Sequence, residues 1–292
     1  MFTFIHSVLA SVAIVGANAS LAAQPIEIKS YKPTTEAIFP VVSNLLISSD
    51  EVMLVDAQFS TQDGERLVEL IKATGKPLKT IFISHGDPDF YFGLEAVVLA
   101  YPEAKILATA PTVEHIVKTK QQKLEFWGPQ LGDGAPESVI TPDVLTADGL
   151  VFAGQKIEIV GLDSSSPHRT VLWIPESKVI LGGILLDSGE HVWLADTAEK
   201  VQRETWLEQL EKLESLDAMT VIPGHYQGVL PEKATEVIHF TKRYLKTAEK
   251  ELSQTTSSAD FIKAMKTHFP SLPGEQTLEL GAKVLTGEMA WN

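Results

Sequence analysis

Apolar positions recur along this chain in two spacings. Ile26-Glu27-Ile28 alternates, while Val41 to Ile47, Val52 to Val55 and Lys79 to Ser84 are short, nearly continuous apolar runs bounded by turn residues. These are the patterns of half-buried and fully buried strands. The polar Ser48-Ser49-Asp50-Glu51 between the second and third runs predicts a hairpin. A helical period takes over at Ser60-Thr61-Gln62-Asp63, where a hydroxyl precedes an acid by three residues and Leu67, Leu70 and Ile71 share a face before Gly75. Further helices are expected over Phe92 to Ala100, Pro111 to Pro129, Glu199 to Leu213, Pro231 to Leu252 and Ser258 to His268, followed by a Pro/Gly-rich tail. Further strands are expected over Lys105 to Ala108, Leu150 to Phe152, Ile157 to Val160, Thr170 to Ile174, Val179 to Leu181 and Ala218 to Ile222. The two kinds of element alternate in two halves, which predicts a layered α/β fold with helices on the outer faces of sheets.

Composition and charge narrow the partners. With 24 Lys and Arg against 38 Asp and Glu, the formal net charge is -14. No basic surface is available to displace counterions from nucleic acid or to hold an anionic membrane, so the expected partner is a small molecule. The chain has no cysteine, which excludes disulfides and thiolate ligands and leaves only His and carboxylates to hold a metal. Residues 1–23 contain no Asp, Glu, Lys or Arg, are apolar from Val8 to Val15, and end in small residues with Ala17-Asn18-Ala19 and Leu21-Ala22-Ala23 as cleavage motifs. They are expected to be a secretory signal peptide, with the product periplasmic or secreted. The apolar run is shorter than the ~20 residues that span a bilayer, so no membrane attachment is expected after cleavage. Residues 24–292 are expected to form one domain.

The chemistry concentrates where strands end. Ile81-Phe82-Ile83 runs into Ser84-His85-Gly86-Asp87-Pro88-Asp89, which places an imidazole and two carboxylates at alternate positions after a buried strand. A turn would use Gly, Pro and Asp equally well, but His168 and the His of Pro223-Gly224-His225 lie beside two other apolar strands. Imidazole and carboxylate together suit zinc, iron or manganese. His115 and His239 fall within helices and His268 near a helix end, where exposure is expected. His191 sits in an expected loop, Ser188 to Leu194, and with Trp127, Trp193 and Tyr91 is a candidate for a pocket wall.

On Thr80 to Gly93, the strand pair Thr170 to Gly183, and Val221 to His225, the chain resembles the metallo-β-lactamase superfamily. That resemblance implies an αβ/βα sandwich of four layers, with one or two metals at the shared sheet edge. Its first motif is His-x-His-x-Asp-His. Here His85 matches the first His, Asp89 the Asp and His225 the last His, while Asp87 replaces the second His and Phe90 the final one. The strand end that would carry a bridging Asp reads Gly182-Gly183, and His168 is the nearest candidate for the middle His. Phe126-Trp127-Gly128-Pro129 and His191-Val192-Trp193-Leu194 are similar to segments of exported or bacterial members described as metallo-hydrolases.

The resemblance therefore implies one divalent metal, zinc first and iron or manganese as alternatives, on His85, Asp87 and His168, with Asp89 and His225 as a weaker pair. Asp89 is the expected catalytic group, orienting or deprotonating the water that attacks an ester, lactone or amide-type bond. The alternative is a metal-free member that serves as a binding protein. A third arrangement moves Asp187 or His191 in to replace the missing bridging Asp.

Overall fold

The computed structural model describes residues 24–33, 37–147 and 149–291. The expected signal peptide lies outside these residues. Among the described residues no helix is long and apolar enough to cross a membrane.

The first half builds a six-stranded sheet in chain order. Its strands are β1 (Glu27–Tyr31), β2 (Ser43–Ile47), β3 (Val52–Val55), β4 (Leu78–Ile83), β5 (Lys105–Ala108) and β6 (Asp143–Val144). The β2–β3 hairpin is antiparallel as expected, and β3 through β6 run parallel because helices carry the chain back between them. Those helices are α1 (Thr61–Ala73), α2 (Leu94–Ala100) and α3 (Ala110–Leu131). Ser60 caps α1 by accepting from the Asp63 amide, and the chain turns beyond it through Gly75 at φ +68°.

The second half builds a five-stranded sheet in the order β11-β10-β9-β8-β7, from β7 (Leu150–Phe152), β8 (Gln155–Val160), β9 (Val171–Ile174), β10 (Val179–Ser188) and β11 (Thr220–Tyr226). Helices α4 (Lys200–Ser215), α5 (Ala234–Leu252), α6 (Ser258–His268) and α7 (Glu275–Leu285) cover its outer face. Three apolar cores define the layers. Leu46, Met53, Val55 and Phe82 of the first sheet meet Leu172, Ile174, Val179 and Leu181 of the second. The outer face of the first sheet packs on α1 and α2 through Leu54, Ile81, Leu67 and Leu94. The outer face of the second packs on α4 and α5 through Ile180, Leu210 and Leu245. The expected αβ/βα sandwich is the observed architecture.

Five elements differ from the sequence reading. Strand β10 continues through Gly182-Gly183 to Ser188, because both glycines take positive φ (71° and 67°) and let the strand bend without ending. Gly182 pairs with Pro223 and Asp187 with His225, so β10 uses five steps where β11 uses two. His225 consequently lies inside β11 and not after it. The Pro/Gly-rich tail contains α7, started after Gly274, and the two-residue β6 offers no pattern long enough to read. Helix α3 runs on through Pro129.

Candidate functional site

The carboxyl ends of β4, β10 and β11 meet at one edge of the sandwich. The loop after β4 carries His85, Asp87 and Asp89 there, all buried. Its position is fixed by Asp56 at the end of β3, which accepts from the Ser84 amide (2.8 Å) and the Ser84 hydroxyl (2.7 Å). The same hydroxyl accepts from the Gly183 amide (2.8 Å), so one serine joins both sheets behind the site. Burial pushes the Asp56 carboxyl up to about 7 against the lowering effect of those hydrogen bonds.

Two polar groups of residues form at this edge. In the first, His85 Nε2 lies 3.0 Å from Asp87 Oδ2, and His85 Nδ1 donates to the His168 backbone carbonyl at 3.2 Å. Lys123, reaching from α3, binds the other Asp87 oxygen. His115 Nε2 lies 3.4 Å from the Lys123 ammonium and 3.9 Å from Asp87 Oδ1. Burial opposes ionisation of Asp87, but Lys123 and His85 overcome it and hold the carboxyl well below the usual carboxylate range. The His168 ring lies against His115, centroids 5.1 Å apart and planes 6° apart. Burial, and then the neighbouring His85 and Arg169, push the His168 imidazole down to about 3. His115, expected at the surface, is thus half-buried within this group.

In the second group His225 Nε2 and Asp89 Oδ2 are 2.7 Å apart. Burial opposes the imidazolium, yet Asp89, Glu190 and Asp187 raise His225 to about 9. Asp187 and Glu190 are buried beside this pair, and each keeps one oxygen without a hydrogen-bond partner. Burial pushes Glu190 up to about 7 and raises Asp187 strongly.

Phe90 separates the groups. Its ring stands edge-on to His85 (5.2 Å, 77°) and to His225 (5.4 Å, 79°). Gly183 explains the missing bridging Asp: a Cβ there would stand 1.7 Å from the Thr170 carbonyl oxygen.

Above these groups opens a cleft of about 570 Å³, counting the space open to solvent. Asp89, Asp187, Glu190 and His225 form its floor, and Phe39, Trp127, Trp193 and Trp291 its walls. Trp193 and Trp291 both donate their indole N–H to the half-buried Asp196 carboxylate, which fixes their rings 5.5 Å apart. Three of the four expected wall residues, Trp127, His191 and Trp193, line the cleft. Tyr91 does not: it is fully buried against Phe92. The sequence reading places none of Lys123, His115, Glu190 and Trp291 at the site.

The fit of a divalent ion follows from the donor set. Donors sharing a tetrahedral zinc lie roughly 3.3 Å apart given metal–nitrogen distances near 2 Å. His85–Asp87 and Asp89–His225 each have close to that spacing, but neither pair has a third ligand. Asp87 is shared with an ammonium, the His168 ring is turned to His115, Phe90 offers no lone pair, and no side chain fits at Gly183. Among the described residues no three His, Asp or Glu side chains converge on one point. The expected His85, Asp87 and His168 are neighbours, and they do not form a closed metal site in this arrangement.

Comparison with known proteins agrees with the fold. The profile of the metallo-beta-lactamase superfamily matches residues 38–225. The linear primary-alkylsulfatase of Pseudomonas sp. (strain ATCC 19151) is 23% identical over 232 residues, covering 68% of this chain. The chain spans only 44% of that enzyme's length. The metallo-beta-lactamase type 2 of Bacillus sp. (strain 170) is 26% identical over 191 residues, 63% of this chain and 67% of the enzyme. Among solved structures, a beta-lactamase domain protein from Burkholderia ambifaria superposes with a TM-score of 0.63 at 15% identity over 92% of this chain and 88% of its own. A metallo-beta-lactamase family protein from Thermus thermophilus gives 0.62 at 17% identity over 89% and 91%.

Proposed function

Because the chain belongs to the metallo-β-lactamase superfamily, whose members generally bind divalent metals and include hydrolases, we propose that it is a small-molecule hydrolase working in the cleft described above. The observation that carries this reading is the Asp89–His225 pair at the foot of an aromatic-walled cleft, with two buried carboxylates beside it. His225, charged through its pairing with Asp89, is the proton donor to the developing oxyanion or the leaving group. Glu190, with an unpartnered oxygen and an affinity for protons near neutrality, is the base for the attacking water. Phe39, Trp127, Trp193 and Trp291 hold the apolar part of the substrate.

Charge selects among bonds. Of the cations that line the cleft, Lys123 is matched by Asp87 and His225 by Asp89, which leaves neither free for a sulfate head such as an alkylsulfatase handles. A neutral ester, lactone or amide-type bond suits this floor better. We also propose export, on the leader-like composition of residues 1–23, tested by fractionating cells that express the full chain.

The experiment is a substrate panel of esters, lactones, β-lactams and alkyl sulfates, assayed with and without chelator. Asp89→Asn and His225→Ala should each lower kcat by roughly 100-fold or more, the usual scale for loss of positioned acid–base groups, with little change in KM. Turnover that a chelator abolishes and zinc restores would defeat this reading in favour of metal-activated water. A second reading, a binding protein without turnover, is favoured by the replacement of two family ligand positions by Phe90 and Gly183. It predicts saturable ligand binding to the cleft and no hydrolysis across the panel.

A further inference from the structure

The buried face of α3 consists of Thr112, Ile116, Thr119, Lys123 and Trp127. Their spacings of four, three, four and four residues are those of a single stripe facing the core. Four of these residues suit such a stripe and Lys123 does not. It is 5% exposed, and an isolated ammonium is among the most costly groups to remove from water. A lysine on this face must therefore meet a specific counter-charge. It meets Asp87, the residue that stands where the family places a metal-binding His.

The surroundings of the ammonium are those of an ion. Asp87 offers one oxygen to Lys123 and the other to His85 at 3.0 Å, and the His115 nitrogen lies 3.4 Å from Lys123 Nζ. Two more carboxylates, Asp196 and Asp89, add to its stabilisation. A divalent cation brought to the same carboxylate would lie within a few ångströms of a fixed positive charge in a region screened poorly by water, so the two cations exclude each other.

We propose that the Lys123 ammonium is the resident cation of the first half of this site, seated on Asp87 in place of a metal ion and excluding one. The side chain neutralises Asp87, keeps the β4 loop closed over its buried carboxylates, and ties α3, which carries the Trp127 wall, to the floor of the cleft. The inference stands whether or not the cleft turns over a substrate, because its test reads metal and not activity.

The test is equilibrium dialysis of the full chain against zinc, with metal counted by mass spectrometry. Wild-type protein should retain no stoichiometric zinc, and H85A should look the same. K123A, which vacates the space between Asp87, His85 and His115, should take up about one equivalent, lost again in K123A/H85A. Should K123A fail to fold, K123Q, shorter and uncharged, is expected to show the same gain. Wild-type protein that holds one equivalent of zinc and loses it in H85A overturns the proposal. So does a folded, uncharged variant at position 123 that takes up none. Loss of turnover on the substrate panel would defeat the hydrolase reading and leave the zinc result unaffected.

Discussion

At the scale of single residues, burial in this protein decides which acids keep their protons. Asp56 is the sharpest case, a fully buried carboxylate held only by the amide and hydroxyl of Ser84. Its carboxyl titrates near 7 folded and near 3.8 in an unfolded chain. The folded state thus binds this proton more tightly, so the group's stabilising contribution is complete below about pH 4 and is lost as pH rises through about 7. Asp56→Asn should flatten this slope, since an amide can still accept from the Ser84 N–H while carrying no charge. Denaturant midpoints from pH 4 to 8 check this: wild-type protein should lose more stability over the window than the variant. Parallel curves would show that Asp56 is already ionised in the folded state across this window, with no more affinity for its proton than in the unfolded chain. His85, Asp87 and Asp89 are legible in the sequence because an apolar strand stops at a dense polar cluster. Lys123 is not, since its partner lies 36 residues earlier, and only the packing of α3 on the β4 loop brings the two together.

At the scale of elements, the bend in β10 decides where the second polar group can stand. Gly182-Gly183 reads in sequence as a strand end, because period and apolarity give no sign of a backbone that turns through positive φ and then resumes pairing. The resumed part, Ile184 to Ser188, sets Asp187 opposite His225. Gly183→Ala should cost roughly 3 kcal/mol or more, since its Cβ would meet the Thr170 carbonyl oxygen at 1.7 Å as well as adopt φ +67°. Gly182→Ala, whose nearest neighbour would be the Ser84 hydroxyl at 3.2 Å, should cost only about 1–2 kcal/mol, mainly for the left-handed backbone. Equilibrium urea unfolding of the two variants gives the comparison, and equal losses would show that the contact with Thr170 relaxes easily. The helices are more legible than β10: the sequence pattern gives α6 its observed bounds and α1 its observed cap, because capping hydroxyls and 3.6-residue periods are local signals. Helix α7 is hidden from such a reading since Pro270, Pro273 and Gly274 precede it and look like the start of an irregular tail.

At the scale of the whole molecule, the cleft joins segments from both halves of the chain and from its far end. Phe39, Trp127, Trp193 and Trp291 come from four separate stretches, and the last two share one carboxylate, Asp196. The layered fold is legible from the alternation of strands and helices, but this convergence is not, because no local pattern links residues so far apart. Trp291→Ala should open one wall while leaving the Asp89–His225 pair in place. KM for an apolar substrate should rise by roughly 10-fold with kcat nearly unchanged, as expected when one aromatic anchor is lost. A fall in kcat at constant KM would move Trp291 from holding the substrate to positioning the reacting groups.

The phenyl ring of Phe90 has a consequence for traffic across the site. It stands between two imidazoles, His85 on one side and His225 on the other, and has neither a donor nor an acceptor. Protons hop only along continuous chains of such groups, so the ring acts as an insulator on the direct route between the two halves. A proton released at His225 must leave through the mouth of the cleft, by way of solvent or the departing product. The Lys123 half therefore meets its neighbour's protons only through the solvent of the cleft that both line, with no direct path across the ring.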